Sequence, residues 1–185
     1  MAGKLDQIIV VDVESTSWAA GPPAGEESEI IEVGVCTLDV ASNERGERRS
    51  ILVRPKRSRV SDYCRELTTL TQDQVDRGVS FAESCDVLKH SFESKHRTWA
   101  SWGDYDRRQF ERQCAAENIK YPFGPTHINV KNLFAITHNL RHEIGMAGAL
   151  EIMKLPLDGT HHRGADDAWN IAAILSQLIM RAKSS

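Results

Sequence analysis

Ile8-Ile9-Val10-Val11-Asp12-Val13-Glu14 decides the fold of this chain: four apolar residues run without a break into two carboxylates spaced two apart. A continuous apolar run of this length is the pattern of a strand buried on both faces. Side chains alternate along a strand, so Asp12 and Glu14 project from the same side at its end and can hold a hard cation together. Ionised carboxylates in such a place are costly unless they are paired or metal-bound, so the strand is expected to keep them for chemistry.

Two further stretches supply candidate partners. His161-His162-Arg163-Gly164-Ala165-Asp166-Asp167 runs into the helical pattern Ile171, Ala172, Ile174, Leu175, Leu178 and Ile179. Asp167 then falls in the first turn of a helix, where the dipole favours an anion, and His162 precedes it in a His-x4-Asp spacing. In the middle of the chain, the β-like Arg97-Thr98-Trp99-Ala100-Ser101 leads to Trp102-Gly103-Asp104-Tyr105-Asp106 at the start of another helix. Asp106 is thus a strand-to-helix carboxylate, placed where α/β proteins gather functional groups.

Between these stretches the pattern predicts a strand over 7–13, a polar loop around Gly21-Pro22-Pro23 and Gly25, a second strand through Ile30 to Leu38 and a third from Arg49 to Val53. Thr71-Gln72-Asp73-Gln74 has the Thr-x-x-Gln form of a capping box, and Ser80 to Phe92 continues as an amphipathic helix. Strands near 97–101 and 126–130 then alternate with helices over 104–118 and 131–139, and helices over 143–153 and 164–182 close the chain. The expected result is an α/β protein with a central mixed five-stranded sheet flanked by helices, in a single domain spanning 1–185.

In order and spacing, Asp12, Glu14, Asp106, His162 and Asp167 resemble the catalytic set of the DEDDh 3′-to-5′ exonucleases, the DnaQ-like branch of the ribonuclease H-like fold. The segments Leu52-Val53-Arg54-Pro55 and Leu67 to Asp76, with Phe81, extend that resemblance to the subgroup of the histone-mRNA 3′-end exonuclease and KapD-type proteins. The resemblance implies a ribonuclease H-like fold and two divalent cations, Mg²⁺ or Mn²⁺, held by Asp12, Glu14, Asp106 and Asp167. Two such ions about 3.5 to 4 Å apart serve in-line phosphodiester hydrolysis. His162 would be the general base; His161 is the adjacent rival, pairing with Asp166 in a reading shifted by one residue.

The resemblance also implies recognition of a 3′ terminus, with the backbone amides of Ser15 and Thr16 next to the terminal ribose, Tyr105 stacking on a base and Lys131 touching a phosphate. The implied partner is the 3′ end of single-stranded RNA, with nucleoside 5′-monophosphate as product. DNA is an open alternative, as are a ribonuclease H-type endonuclease and a non-catalytic nucleic-acid-binding relative.

Composition bounds these readings. A net charge of -3 is awkward for binding phosphates, but four of the negative charges are the proposed metal ligands. Lys56-Arg57-Arg59 and Arg107-Arg108 are candidate basic patches. Four cysteines without a C-x-x-C pair are expected to be buried thiols, and His138-x3-His142, with no Glu of the zinc-protease kind between them, is expected on the surface. No apolar stretch reads as a leader or membrane helix, which gives a cytoplasmic expectation with no membrane contact.

Overall fold

The computed structural model describes residues 4–184. The outermost residues of the predicted domain, 1–3 and 185, lie outside it.

The apolar run lies in β1 (Lys4–Ser15), which is central: β2 (Ile30–Asp39) pairs with it antiparallel, and β4 (Arg97–Ser101) pairs with it in parallel on the other side. With β3 (Arg45–Leu52) beyond β2 and β5 (His127–Asn129) beyond β4, the order is β3-β2-β1-β4-β5, a mixed five-stranded sheet. Residues 9–11 of β1 are fully buried because both faces are covered. On one face Ile8 and Val10 meet α5 (Val130–Thr137), α6 (Met146–Met153) and α7 (Gly164–Lys183). On the other, Ile9, Val11 and Val13 meet α3 (Phe81–Ser91) and α4 (Tyr105–Glu117).

The predicted capping box at Thr71 is formed and starts the short helix α2 (Gln72–Asp76), and a second box at Ser80 starts α3. The pattern did not reveal α1 (Asp62–Thr68). Its N-cap is Ser61, whose hydroxyl accepts from the Cys64 amide, but no Glu or Gln completes a box and the helix has only seven residues. β3 begins four residues earlier than expected because the polar Arg45-Gly46-Glu47-Arg48 pairs as the edge of the sheet. The four cysteines are buried and free. Among the described residues, no helix is long and apolar enough to cross a membrane.

One close approach positions the site. Gly34 lies opposite Asp12 in the β1–β2 register, and a Cβ on Gly34 would overlap the backbone carbonyl of Gly164. Only a residue without a side chain lets the first turn of α7 rest on the sheet there, three residues before Asp167.

Candidate active site

Asp12, Glu14, Asp106, His161, His162 and Asp167 line one cavity of about 390 Å³. Alternation along β1 turns Asp12 and Glu14 toward α7, whose first turn brings Asp167 to them; ligand oxygens of the three lie within 4.8 Å of one another. Asp106 arrives from the first turn of α4. It is 3% exposed, and its Oδ1 accepts from the Val13 amide at 2.9 Å, which fixes it to the strand between the other two carboxylates.

The electrostatics are those of a cluster short of positive charge. Burial pushes the Asp12 carboxyl well above the usual carboxylate range, and the negative charges of Asp106, Glu14, Asp167 and Glu32 push it further. Glu14 is pushed up to about 8, first by burial and then by Asp167, Glu32 and Asp106. Asp106 rises to about 6 by burial, held back by the Val13 N–H, and burial raises Asp167 as well. Among the described residues no donor meets the side chains of Asp12 or Glu14. An all-oxygen donor set that resists ionising together fits hard divalent cations, which would supply the missing charge.

Both histidines face the cavity, in different states. Nδ1 of His161 lies 3.0 Å from Asp167 Oδ2 and 3.1 Å from Oδ1, so this ring is committed to that carboxylate and not to Asp166. Asp166 instead pairs with Arg48 and accepts from the Thr160 amide. The His162 ring stacks on His161 at 4.0 Å and makes no side-chain hydrogen bond among the described residues. Its backbone is left-handed, with φ +63°, and its amide donates to Asp167 Oδ2 at 3.0 Å, so the carboxylate stabilises an otherwise strained turn. Burial, with His161 beside it, lowers the His162 pKa.

The remaining expectations divide. Ser15 lines the cavity, as does Tyr105, which is 56% exposed. Thr16 does not: its amide donates to the Glu29 carbonyl at 2.8 Å and its hydroxyl accepts from the Glu29 amide, so it belongs to the sheet end and has no amide left for a ligand. Lys131 lies outside the cavity, in an adjoining groove that shares Trp102 and Tyr105 with it, and pairs with Glu143 at 3.4 Å. Trp102 is held by its indole N–H to the Ile144 carbonyl.

The first basic patch is largely neutralised: Lys56 pairs with Glu117, and Arg57 with Glu27 at 3.0 Å. In the second, Arg107 pairs with Asp104 and Glu111, whereas Arg108 reaches the adjoining groove without an ion pair among the described residues. Of the spaced histidines, His138 stacks on Phe134 and meets Arg181.

Glu32 was missed by the sequence reading. It is fully buried opposite Glu14 in the register, and its carboxylate accepts from Arg163 Nε at 3.1 Å, from the Gly164 amide at 3.1 Å and from the Ser50 hydroxyl. It thereby clamps the turn that carries His162 and starts α7. The signal was present, since a Glu within Ile30-Ile31-Glu32-Val33 is as anomalous as Asp12 in its own strand.

Comparison with known proteins bears on what this arrangement is. Residues 9–175 match the RNase_T family, described as exonuclease. The chain is 33% identical to 3′-5′ exoribonuclease 1 of Rattus norvegicus over 94% of its own length and 53% of that protein's. It is 29% identical to the probable 3′-5′ exonuclease KapD of Bacillus subtilis (strain 168), over 88% of this chain and 80% of that one. Among solved structures, the nuclease domain of 3′hExo, a DEDDh family member bound to rAMP, superposes with a TM-score of 0.83 at 27% identity, covering 98% of this chain and 95% of that one. The sheet and its flanking helices are therefore ribonuclease H-like. The chain spans about half the length of the mammalian exoribonucleases it matches.

Proposed function

Because the chain belongs to the RNase_T exonuclease family, we propose that it is a metal-dependent 3′-to-5′ exonuclease that removes nucleoside 5′-monophosphates from the 3′ ends of single-stranded nucleic acid, RNA foremost. The observation that carries this reading is the cavity in which Asp12, Glu14, Asp106 and Asp167 converge with a free imidazole beside them. Asp12, Glu14, Asp106 and Asp167 would hold two divalent cations, and Mg²⁺ or Mn²⁺ suits their all-oxygen set. Such ions, when bound, lower the pKa of a coordinated water and offset charge on the phosphate.

The chain's own side chains supply the rest. His162 takes the proton of the attacking water. Its ring is free where that of His161 is tied to Asp167, and its lowered pKa keeps it neutral and ready to accept near pH 7. Asp167 has a second task, since its Oδ2 holds the His162 amide and fixes the base relative to the carboxylates. The apolar side chains of Leu67, Met146 and Ile171 limit water around the reacting groups. Tyr105, exposed at the rim, is suited to stack on an unpaired base, and the neighbouring groove with Arg108 and Lys131 is suited to the phosphates that follow. Similar proteins, a 3′-exonuclease in specific 3′-end recognition of a histone mRNA stem-loop and the nuclease domain of 3′hExo bound to rAMP, support RNA as the substrate. The setting proposed is cytoplasmic, in keeping with four free buried thiols.

An RNA oligomer labelled at its 3′ end tests the reading. Stepwise release of labelled mononucleotide in Mg²⁺, abolished by EDTA, is expected. Internal fragments would mean an endonuclease, and tight binding without cleavage a non-catalytic relative.

A further inference from the structure

In extended backbone, consecutive side chains point to opposite sides. The left-handed turn at His162, φ +63°, instead brings its ring back beside that of His161, and the two stack 4.0 Å apart with 20° between their planes. Both rings consequently face the same cavity as Asp167. A non-glycine residue in this conformation is strained, so the pairing of the rings is held at a cost.

His161 is the histidine that the proposed proton transfer leaves without a task. Its Nδ1 lies 3.1 and 3.0 Å from the two oxygens of Asp167, and its side chain is 37% exposed against 5% for Asp167, so the pair opens to solvent on the histidine side. One ligand atom each of His161, His162 and Asp167 lies within 4.8 Å of the others. Ligands of a tetrahedral zinc ion, with bonds of about 2.0 to 2.1 Å, stand about 3.3 Å apart. The His161–Asp167 pair is already near that spacing, and the His162 ring, held among the described residues only by its stacking, has merely to swing toward it. The Asp167 carboxylate is oriented in advance, because its Oδ2 accepts from the His162 amide at 3.0 Å. Donor chemistry separates this group from the cluster beside it. Asp12, Glu14 and Asp106 offer oxygen alone, which suits hard cations, whereas two imidazoles and one carboxylate with a fourth position open form a zinc set.

We propose that His161, His162 and Asp167 form a binding site for Zn²⁺, and that zinc held there switches the enzyme off. The site follows from its own geometry; its effect on turnover rests on the exonuclease reading. A His162 nitrogen bonded to zinc has no lone pair left for a proton, and the other ring nitrogen of the neutral imidazole already carries one. Asp167, shared between the two groups, is at the same time drawn away from the cations that the carboxylates hold. Zinc and Mg²⁺ thus act in opposite senses on one cavity, and His161 is the residue that belongs to the zinc site alone.

Zn²⁺ alone is the probe. Calorimetric titration into the parent, in a large excess of Mg²⁺ to fill the carboxylate cluster, should show one Zn²⁺ bound per chain. His161→Ala should bind it about 10²-fold more weakly, since the loss even of a group that only orients a metal ligand lowers affinity about 10- to 100-fold. Asp12→Asn, which alters the carboxylate cluster alone, should bind it as the parent does. On a 3′-labelled RNA oligomer in Mg²⁺, Zn²⁺ should stop mononucleotide release by the parent at a concentration that leaves the rate of His161→Ala unchanged, and a zinc chelator should restore it. Equal affinity in the parent and His161→Ala, or binding lost in Asp12→Asn, would put the ion among the carboxylates and overturn the proposal. A parent that takes up no Zn²⁺, or takes it up without slowing, would overturn it as well. His161→Gln, which keeps the bulk of the side chain without its ring nitrogens, repeats both measurements should His161→Ala not fold. Failure of the exonuclease reading looks different: no oligomer is shortened with or without zinc, while the calorimetry still decides the site.

Discussion

Two groups of largely buried carboxylates meet where Glu14 lies opposite Glu32 in the sheet, and they are treated in opposite ways. Glu29, 4% exposed, accepts from the amides of Lys56, Arg57 and Ser58 at 3.0, 2.9 and 2.7 Å, and Glu32 is met by Arg163, Gly164 and Ser50. Around the cavity, Asp12 and Glu14 have no donor among the described residues and stand beside Asp106 and Asp167, so their charges oppose one another. Burial is common to both groups; satisfaction is not. A carboxylate ringed by donors fastens the chain, whereas a cluster of like charges without donors lowers stability until a cation enters, and a protein retains it for what that cation does.

The sharpest way to break this contrast is to remove one member of the unsatisfied group. Asp12→Ala should cut turnover on the order of 10³-fold or more, a barrier several kcal/mol higher, because the cations lose one of the three carboxylates whose oxygens lie within 4.8 Å of one another. The metal-free variant should melt at or above the parent temperature, since a repulsion has gone. A melting temperature well below the parent would put Asp12 with the fastening carboxylates.

His162→Ala should lower the rate by about 10²- to 10⁴-fold with metal binding largely kept, and His161→Ala should do much less. Equal losses, or a larger one from His161→Ala, would make the histidine paired with Asp167 the base. In the parent, the rate should fall as pH drops through the His162 pKa. Because burial lowers that pKa, the midpoint should lie below the ordinary histidine value of about 6.5.

The two groups should also differ in how stability depends on pH. Glu14 is pushed up to about 8, so its protonated form is the one the fold favours. Stability from this group is fully present below the ordinary glutamate pKa of about 4.3 and is lost as pH rises from there through its folded value. Metal-free protein should accordingly weaken between those limits. Mg²⁺ at about a hundred times its Kd should return about 2.7 kcal/mol, several degrees of Tm, at pH 8, and less at pH 6, where protons compete with it. A Tm gain from Mg²⁺ that does not depend on pH would contradict this account of the cluster.

For the satisfied group the expectation is reversed. Glu29→Gln keeps the shape but loses an acceptor, and should cost about 1 to 3 kcal/mol of stability, with the activity of the folded fraction unchanged. A loss of activity without a loss of stability would join Glu29 to the site.

The smallest effect concerns the rim. Tyr105→Ala should lower kcat/KM on a single strand by the equivalent of about 1 to 3 kcal/mol, while Tyr105→Phe, which keeps the ring, stays near the parent. If both variants fail alike, the hydroxyl matters and stacking does not; if neither changes the rate, the ring is packing.

Sequence by itself determined what depends on period and local chemistry. The run Ile8 to Val11 could only be a strand covered on both sides, the Thr71 box could only begin a helix, and Asp12 and Glu14 had to share a face; from such patterns the five strands and every helix but α1 were legible, though not the order of the strands. Most of the candidate cavity was legible for the same reason, because each of its carboxylates sits at an element end recognisable from local pattern. What the tertiary structure alone decided are pairings between residues distant in the chain. Gly34 and Gly164 stand 130 residues apart, and only their contact brings α7 down to the strand. Spacing cannot say that Glu32 is met by Arg163, that His161 turns to Asp167 and not to Asp166, or that Thr16 is spent on Glu29 while Ser15 and Ser17 are not. Those outcomes depend on which donors reach which acceptors once the chain is packed, and hydrogen bonding over a few ångströms carries no periodic trace in the sequence.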